Sequence, residues 1–253
     1  MHYTLCDYVL DVFQNALEAG SQHTEVEWTE TVTAGGAGAT GPPGGAPGAA
    51  GVDPRRAAYV APPHIVAVTV RDTGRGMSED ERRRAMDPFE TDGIKHPERH
   101  VGLGLPFLAH IVEATGGKLT VESRVGEGTT VAFEVDVANI DAPPVGDVPG
   151  TFLQMFCFEG DYEVVVRRSR RIAPERVGSP PARRAPRAPR DAAGGFPGQR
   201  DEPGAESGDE VRSYELSRRE LREVLGDLET TASLSLLQQF LVQHEAVLHG
   251  VEV

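Results

Sequence analysis

The chain has 253 residues, among them 29 glycines and 19 prolines, and a formal net charge of −14. That length gives one ordinary domain plus extra segments, and the acidic balance excludes a general nucleic-acid binder, because polyphosphate repels it. Two cysteines, Cys6 and Cys157, cannot build a disulfide framework; with no apolar run near the roughly 18–20 residues of a membrane span and no signal peptide, the sequence reads as cytoplasmic.

The first expected element is a helix from Leu5 to Ala19. Leu5, Val9, Val12, Phe13, Ala16 and Leu17 form one apolar stripe, and Asp7, Asp11, Asn15 and Glu18 lie opposite. Residues 25–32 alternate, with Val26, Trp28 and Val32 on one side, and predict a half-buried strand. Residues 34–63 are mostly Gly, Ala and Pro, too poor in apolar bulk for a core, and read as a flexible insertion. His64 to Arg71 is a β-branched run suited to a central strand. A short helix is expected near Ser78–Met86, with Ser78 and Glu81 in a capping box. A second amphipathic helix spans about Gly104 to Thr115 and stops at Gly116-Gly117. Leu119–Arg124 and Thr129–Val137 read as a hairpin turned through Gly126-Glu127-Gly128.

Beyond residue 145 a smaller αβ appendage is expected. Phe152–Phe158 and Tyr162–Val166 read as a strand pair around Gly160-Asp161. Arg167 to about Gly208 is basic first and acidic later, which predicts a solvated, disordered linker centred on about 172–210. A basic docking tract is the alternative there. A capping box, Ser217 to Glu220, announces a short helix, and a last amphipathic helix covers about Ser235 to Leu248.

Four pieces carry chemistry, each weak alone. Asp11 and Asn15 stand one turn apart on the polar face of the first helix. Asn15 offers a neutral oxygen to magnesium, a hard cation, and Asp11 can orient a water or accept a proton. Asp72-Thr73-Gly74-Arg75-Gly76-Met77 follows the buried strand; a carboxylate at the end of a central strand lies where open α/β sheets bind ligands and can accept from the exocyclic amine of adenine. Val101-Gly102-Leu103-Gly104-Leu105 opens a helix, whose free N–H groups suit phosphate. Gly128-Thr129-Thr130 starts a strand and brings a hydroxyl to a base edge. The P-loop pattern is absent.

In this order the pieces resemble the GHKL superfamily, the ATPase domain shared by gyrase, heat-shock chaperones, histidine kinases and mismatch-repair proteins. Asp87-Pro88-Phe89 is similar to that family's phenylalanine-containing box, and the resemblance spans about Leu5 to Val137. It implies a two-layer α/β sandwich of the Bergerat type, with a mixed sheet, helices on one face and ATP between them. By the same resemblance Asn15 ligates Mg2+ and Asp72 holds the adenine amine. Gly74, Gly76, Met77, Gly102, Leu103, Gly104 and Thr129 line the nucleotide. Residues 77–101 form a lid in which Lys95, Arg99 and His100 are candidate phosphate contacts.

Histidine kinases carry their phosphoacceptor on a helical hairpin before the first of these motifs. Here that motif starts within ten residues of Met1, so self-phosphorylation on histidine is not expected. Where histidine kinases usually place Asn, and hydrolysing members and anti-sigma serine kinases place Glu, this chain has Asp11. Asn139–Asp147, Tyr214–Ser217, Glu220–Glu223 and Gly226-Asp227 resemble small stand-alone bacterial ATP-binding proteins encoded beside iron-only hydrogenase subunits. The expectation is a kinase-type regulator that transfers phosphate to a partner protein, hydrogenase-linked or signalling, or an ATP-gated binding switch.

Overall fold

The computed structural model describes residues 4–33, 64–87, 104–173 and 210–251. The insertion expected at 34–63 and most of the expected linker, 174–209, lie outside these residues. The chain runs α1 (Leu5–Glu18), β1 (His23–Thr33), β2 (His64–Asp72), α2 (Glu79–Ala85), α3 (Gly104–Ala114), β3 (Lys118–Arg124), β4 (Gly128–Asp136), α4 (Val148–Cys157), β5 (Glu163–Ala173), β6 (Glu210–Ser217), α5 (Arg218–Leu225) and α6 (Thr231–Leu248). Six strands form one sheet in the order β3-β4-β2-β1-β5-β6, antiparallel throughout except for the β1–β5 pair. The architecture is the expected α/β sandwich with a mixed sheet.

The strands alternate, and one face of each is apolar. Val26 and Trp28 of β1, Val66, Val68 and Val70 of β2, Val131, Phe133 and Val135 of β4 and Val164 and Val166 of β5 are all buried. They meet Leu5, Val9, Val12 and Phe13 of α1, Leu108 and Val112 of α3 and Phe152 and Phe156 of α4 in one core. Each such side chain contributes roughly 1.5–3 kcal/mol on burial. The opposite face carries Glu25, Glu27, Thr69, Arg167 and Glu215, with Arg167 bridging all three glutamates. Among the described residues no helix is long and apolar enough to cross a membrane.

Two expectations fail in the C-terminal half. Residues 152–157 of the strand expected at Phe152–Phe158 belong to helix α4, with Phe158 as its C-cap; the helix is started by the Asp147 side chain accepting from Gly150 N–H with a proline in the first turn. A strand's alternation would have buried Gln154 between Phe152 and Phe156. The helix instead buries Val148, Thr151, Phe152, Met155 and Phe156 and leaves Gln154 exposed. The basic run from Arg167 to Ala173 belongs to β5, and Glu210–Ser217, also unforeseen, is the edge strand β6. The αβ segment after residue 145 is therefore joined to the domain by sheet extension.

Arg168 explains why a basic run lies in a sheet. Its guanidinium is 1% exposed and donates to Glu30 of β1 at 2.6 Å and to Glu245 of α6 at 3.2 Å. Tyr214 of β6 donates to Glu245 at 2.7 Å, and His64 of β2 lies 2.6 Å from Glu30. Four strands and α6 are thus tied by one buried charge cluster. Burial pushes the Glu30 carboxyl up, but hydrogen bonds from His64 and Arg168 and the guanidinium charge outweigh it and hold it at about 2. Cys6 is buried, and burial pushes its thiol up to about 11; Cys6 and Cys157 are both free.

Glu30 titrates lower in the folded protein than in the unfolded chain. Its stabilising contribution is therefore complete above about pH 4.5 and is lost as the pH falls toward about 2. Urea midpoints measured across that window should fall less steeply for Glu30→Gln than for the wild type; parallel curves would contradict the assignment. Arg168→Met leaves two buried carboxylates short of their counter-charge and should cost about 3–5 kcal/mol in the same measurement.

Candidate nucleotide site

Helix α1 is fixed at its start by a reciprocal cap. The Thr4 side chain accepts from Asp7 N–H, and the Asp7 carboxylate accepts from Thr4 N–H at 2.9 Å. Asp7 is thereby taken up in the cap, and Asp11, Asn15 and Glu18 remain along the polar side. Asp11 is half-buried and Asn15 is exposed.

Asp72 ends β2 and is buried, with 8% exposure. Its side chain faces the helix layer, and its Oδ1 accepts from Gly74 N–H at 2.7 Å. Burial pushes the carboxyl up, and backbone hydrogen bonds from Gly74 and Thr129 oppose the shift. In the β2–β4 ladder Asp72 stands opposite Thr129. The sheet register therefore assembles the carboxylate and the hydroxyl that the sequence holds 57 positions apart.

The loop after Asp72 is held from both sides. Arg75 N–H donates to Ala19 O at the end of α1, and Arg75 O accepts from Gly126 N–H in the β3–β4 turn. Thr73 N–H donates to Ser21 Oγ at 3.1 Å. Met77 N–H donates to Ser123 Oγ at 2.8 Å. Gly76 has φ +63, and a Cβ there would run into the Arg124 carbonyl. Only glycine lets the loop lie this close to the hairpin.

Gly104 opens α3 and packs on α1: a Cβ at this position would overlap the Asp11 carboxylate. An acidic group at a helix N-terminus is favoured by the free N–H groups there. The structure thus groups Asp72, Gly74, Gly76, Met77 and Thr129 around the end of β2, and sets Asp11 of α1, one turn from Asn15, against Gly104. Gly102, Leu103, Lys95, Arg99 and His100 lie outside the described residues, as do Pro88 and Phe89. The root of the expected lid is described: α2 carries the foreseen Ser78–Glu81 capping box and is pinned by Arg82 donating to Val121 O.

Sequence reasoning missed Ser21 and Ser123, which hold the loop. Ser123 was accessible from the hairpin, since a turn through Gly126 sets it opposite Thr129. A cavity of about 490 Å³ opens elsewhere, lined by Gln22, Tyr162, Glu163, Arg218, Arg219 and neighbouring side chains. It contains none of the site residues. Arg218 there is occupied by the carbonyls of Phe156, Phe158, Gly160 and Tyr162.

The family model described as histidine kinase-, DNA gyrase B- and HSP90-like ATPase matches residues 5–139. Sensor histidine kinase AruS of Pseudomonas aeruginosa is 41% identical over 73 residues, 28% of this chain and 7% of that protein. Histidine protein kinase DivJ of Caulobacter vibrioides is 35% identical over 86 residues, 34% of this chain and 14% of that protein. The chain therefore spans a small part of these relatives. A solved structure of full-length ShkA in complex with AMPPNP aligns over 31% of this chain and 16% of that one, at 32% identity and a TM-score of 0.23. With a match over more than half of its length, this chain belongs to the histidine kinase-, DNA gyrase B- and HSP90-like ATPase family.

Proposed function

We propose that the protein binds ATP with magnesium and acts as a kinase-type regulator, transferring the γ-phosphate to a hydroxyl or other acceptor on a partner protein. The observation that carries this reading is that α1 meets the start of α3 at Asp11 and the loop after β2 at Ala19. Asp11 lies against Gly104, and the buried Asp72 lies beside Thr129. Asp72 accepts the adenine amine, aided by Thr129, and Gly74, Gly76 and Met77 line the base.

The cradle where Gly104 meets Asp11, and the exposed oxygen of Asn15 one turn away, suit a hard cation and phosphate oxygens. Asn15 would hold magnesium, which neutralises phosphate charge as the terminal phosphoryl group leaves. Gly102, Leu103, Gly104 and Lys95 would serve the phosphates. Asp11 is the candidate general base, taking the proton of the attacking hydroxyl or water. The acceptor comes from a partner, of a signalling or redox-enzyme system.

One observation favours a second reading, an ATP-gated binding switch that turns over slowly. Asp11 is one methylene shorter than the glutamate used by hydrolysing relatives, and its carboxylate is packed on the backbone of Gly104. Following the γ-phosphate of labelled ATP, with and without added candidate partners, separates the two. Label on a protein supports the kinase reading; label retained on bound ATP in every mixture supports the switch.

Three variants test the assignments. Asp72→Asn should abolish ATP binding by calorimetry while the circular dichroism spectrum is unchanged; wild-type affinity would remove the adenine contact. Asp11→Asn should bind ATP nearly normally and slow turnover about 10²–10⁴-fold, the scale of a general base. Gly104→Ala should weaken Mg-ATP binding by at least about tenfold, because the new methyl group displaces Asp11; unaltered affinity in titration would contradict the packing.

A further inference from the structure

We propose that Ser123 fixes the direction in which the Thr129 hydroxyl bonds, and that this makes the pocket select a 6-amino purine over a 6-oxo purine. The inference rests on the ATP-binding reading above.

Ser123 Oγ has three polar partners: Met77 N–H at 2.8 Å, Gly128 O at 3.1 Å and Thr129 Oγ1 at 2.8 Å. A serine hydroxyl has one proton and two lone pairs. The Gly128 carbonyl can only accept, so the Ser123 proton goes to it. The Met77 N–H can only donate, so it occupies one Ser123 lone pair. The remaining lone pair can be filled only by the proton of Thr129. Satisfying all three contacts at once therefore leaves a single arrangement, in which Thr129 donates to Ser123.

The consequence falls on the ligand side. With its proton committed to Ser123, Thr129 Oγ1 presents only lone pairs. It faces the same side of the sheet as Asp72, its register partner on β2. The Asp72 carboxylate is also an acceptor and is itself held by Gly74 N–H. Two oxygens that accept and do not donate thus flank the place of the exocyclic group. An amine at that place donates to them. An oxo group sets a third acceptor against them, with no proton to share. The Ser123 hydroxyl also accepts from Met77 N–H, which ties the loop after β2 to the same pair.

Calorimetric titration of the full chain with Mg-ATP and Mg-ITP tests this, because the two differ at purine position 6. The wild type should prefer ATP. Ser123→Ala frees the Thr129 hydroxyl to rotate and donate, and should lower the ATP-to-ITP affinity ratio about tenfold, the worth of one hydrogen bond. Ser123→Thr keeps the hydroxyl and should restore the ratio. Thr129→Val should reach the same reduced ratio, and the double variant should lose no more than either single one. Equal weakening of both nucleotides in Ser123→Ala would make Ser123 a brace only and overturn the proposal. So would an unchanged ratio, or a wild type that does not distinguish the two. A wild type that binds neither nucleotide would overturn the ATP reading itself.

Discussion

The antiparallel ladder between β2 and β4 places Asp72 opposite Thr129, and the rest of the candidate site is arranged about that pair. Side chains on a strand alternate, so a slip of one residue would turn Asp72 to the solvent face. The register is held by the burial of Val66, Val68 and Val70 beside Val131, Phe133 and Val135. The same apolar alternation that makes the core therefore also aims the carboxylate at the space between sheet and helices. A buried carboxylate is costly unless it is hydrogen-bonded, and the N–H groups of Gly74 and Thr129 supply that compensation.

Around this pair the loop after β2 is a brace between α1 and the β3–β4 hairpin. Arg75 alone bonds both through its backbone, to Ala19 and to Gly126. Gly76 permits the close approach, and Ser123 closes the joint at Met77. The candidate site is thus held by backbone hydrogen bonds where α1, the end of β2 and the hairpin meet.

The far end of the sheet is built on different physics. There β1 and β5, parallel neighbours, reach Thr33 and Ala173, and both low-complexity stretches depart from this end of the sheet, away from Asp72. Glu30, Arg168, Tyr214 and Glu245 tie α6 to the strands through charge and hydrogen bonds, beside the buried Leu237 and Leu241 that α6 adds to the core. Such a cluster is specific in geometry, because each guanidinium N–H needs its own acceptor.

The sequence by itself determined the N-terminal architecture and named the candidate site residues. Apolar periodicity marked α1, β1, β2, α3 and the hairpin, and the Ser78–Glu81 box marked α2, because these signals are local and repeat within one or two turns. As candidates, Asp72, Gly74, Gly76 and Gly104 were legible because their motifs sit at element ends, where glycine and carboxylate have few other uses, and Asp11 and Asn15 because they stand one turn apart on the polar face of α1. What only the tertiary structure decided depends on partners far away in the chain. Phe152 and Phe156 alternate like a strand until a groove beside α1 accepts a helical face. Arg168 looks solvated until Glu30 and Glu245 reach it from 138 and 77 positions away. The convergence of Met77, Gly128 and Thr129 on the Ser123 hydroxyl was equally hidden, because it joins three segments that no local pattern relates.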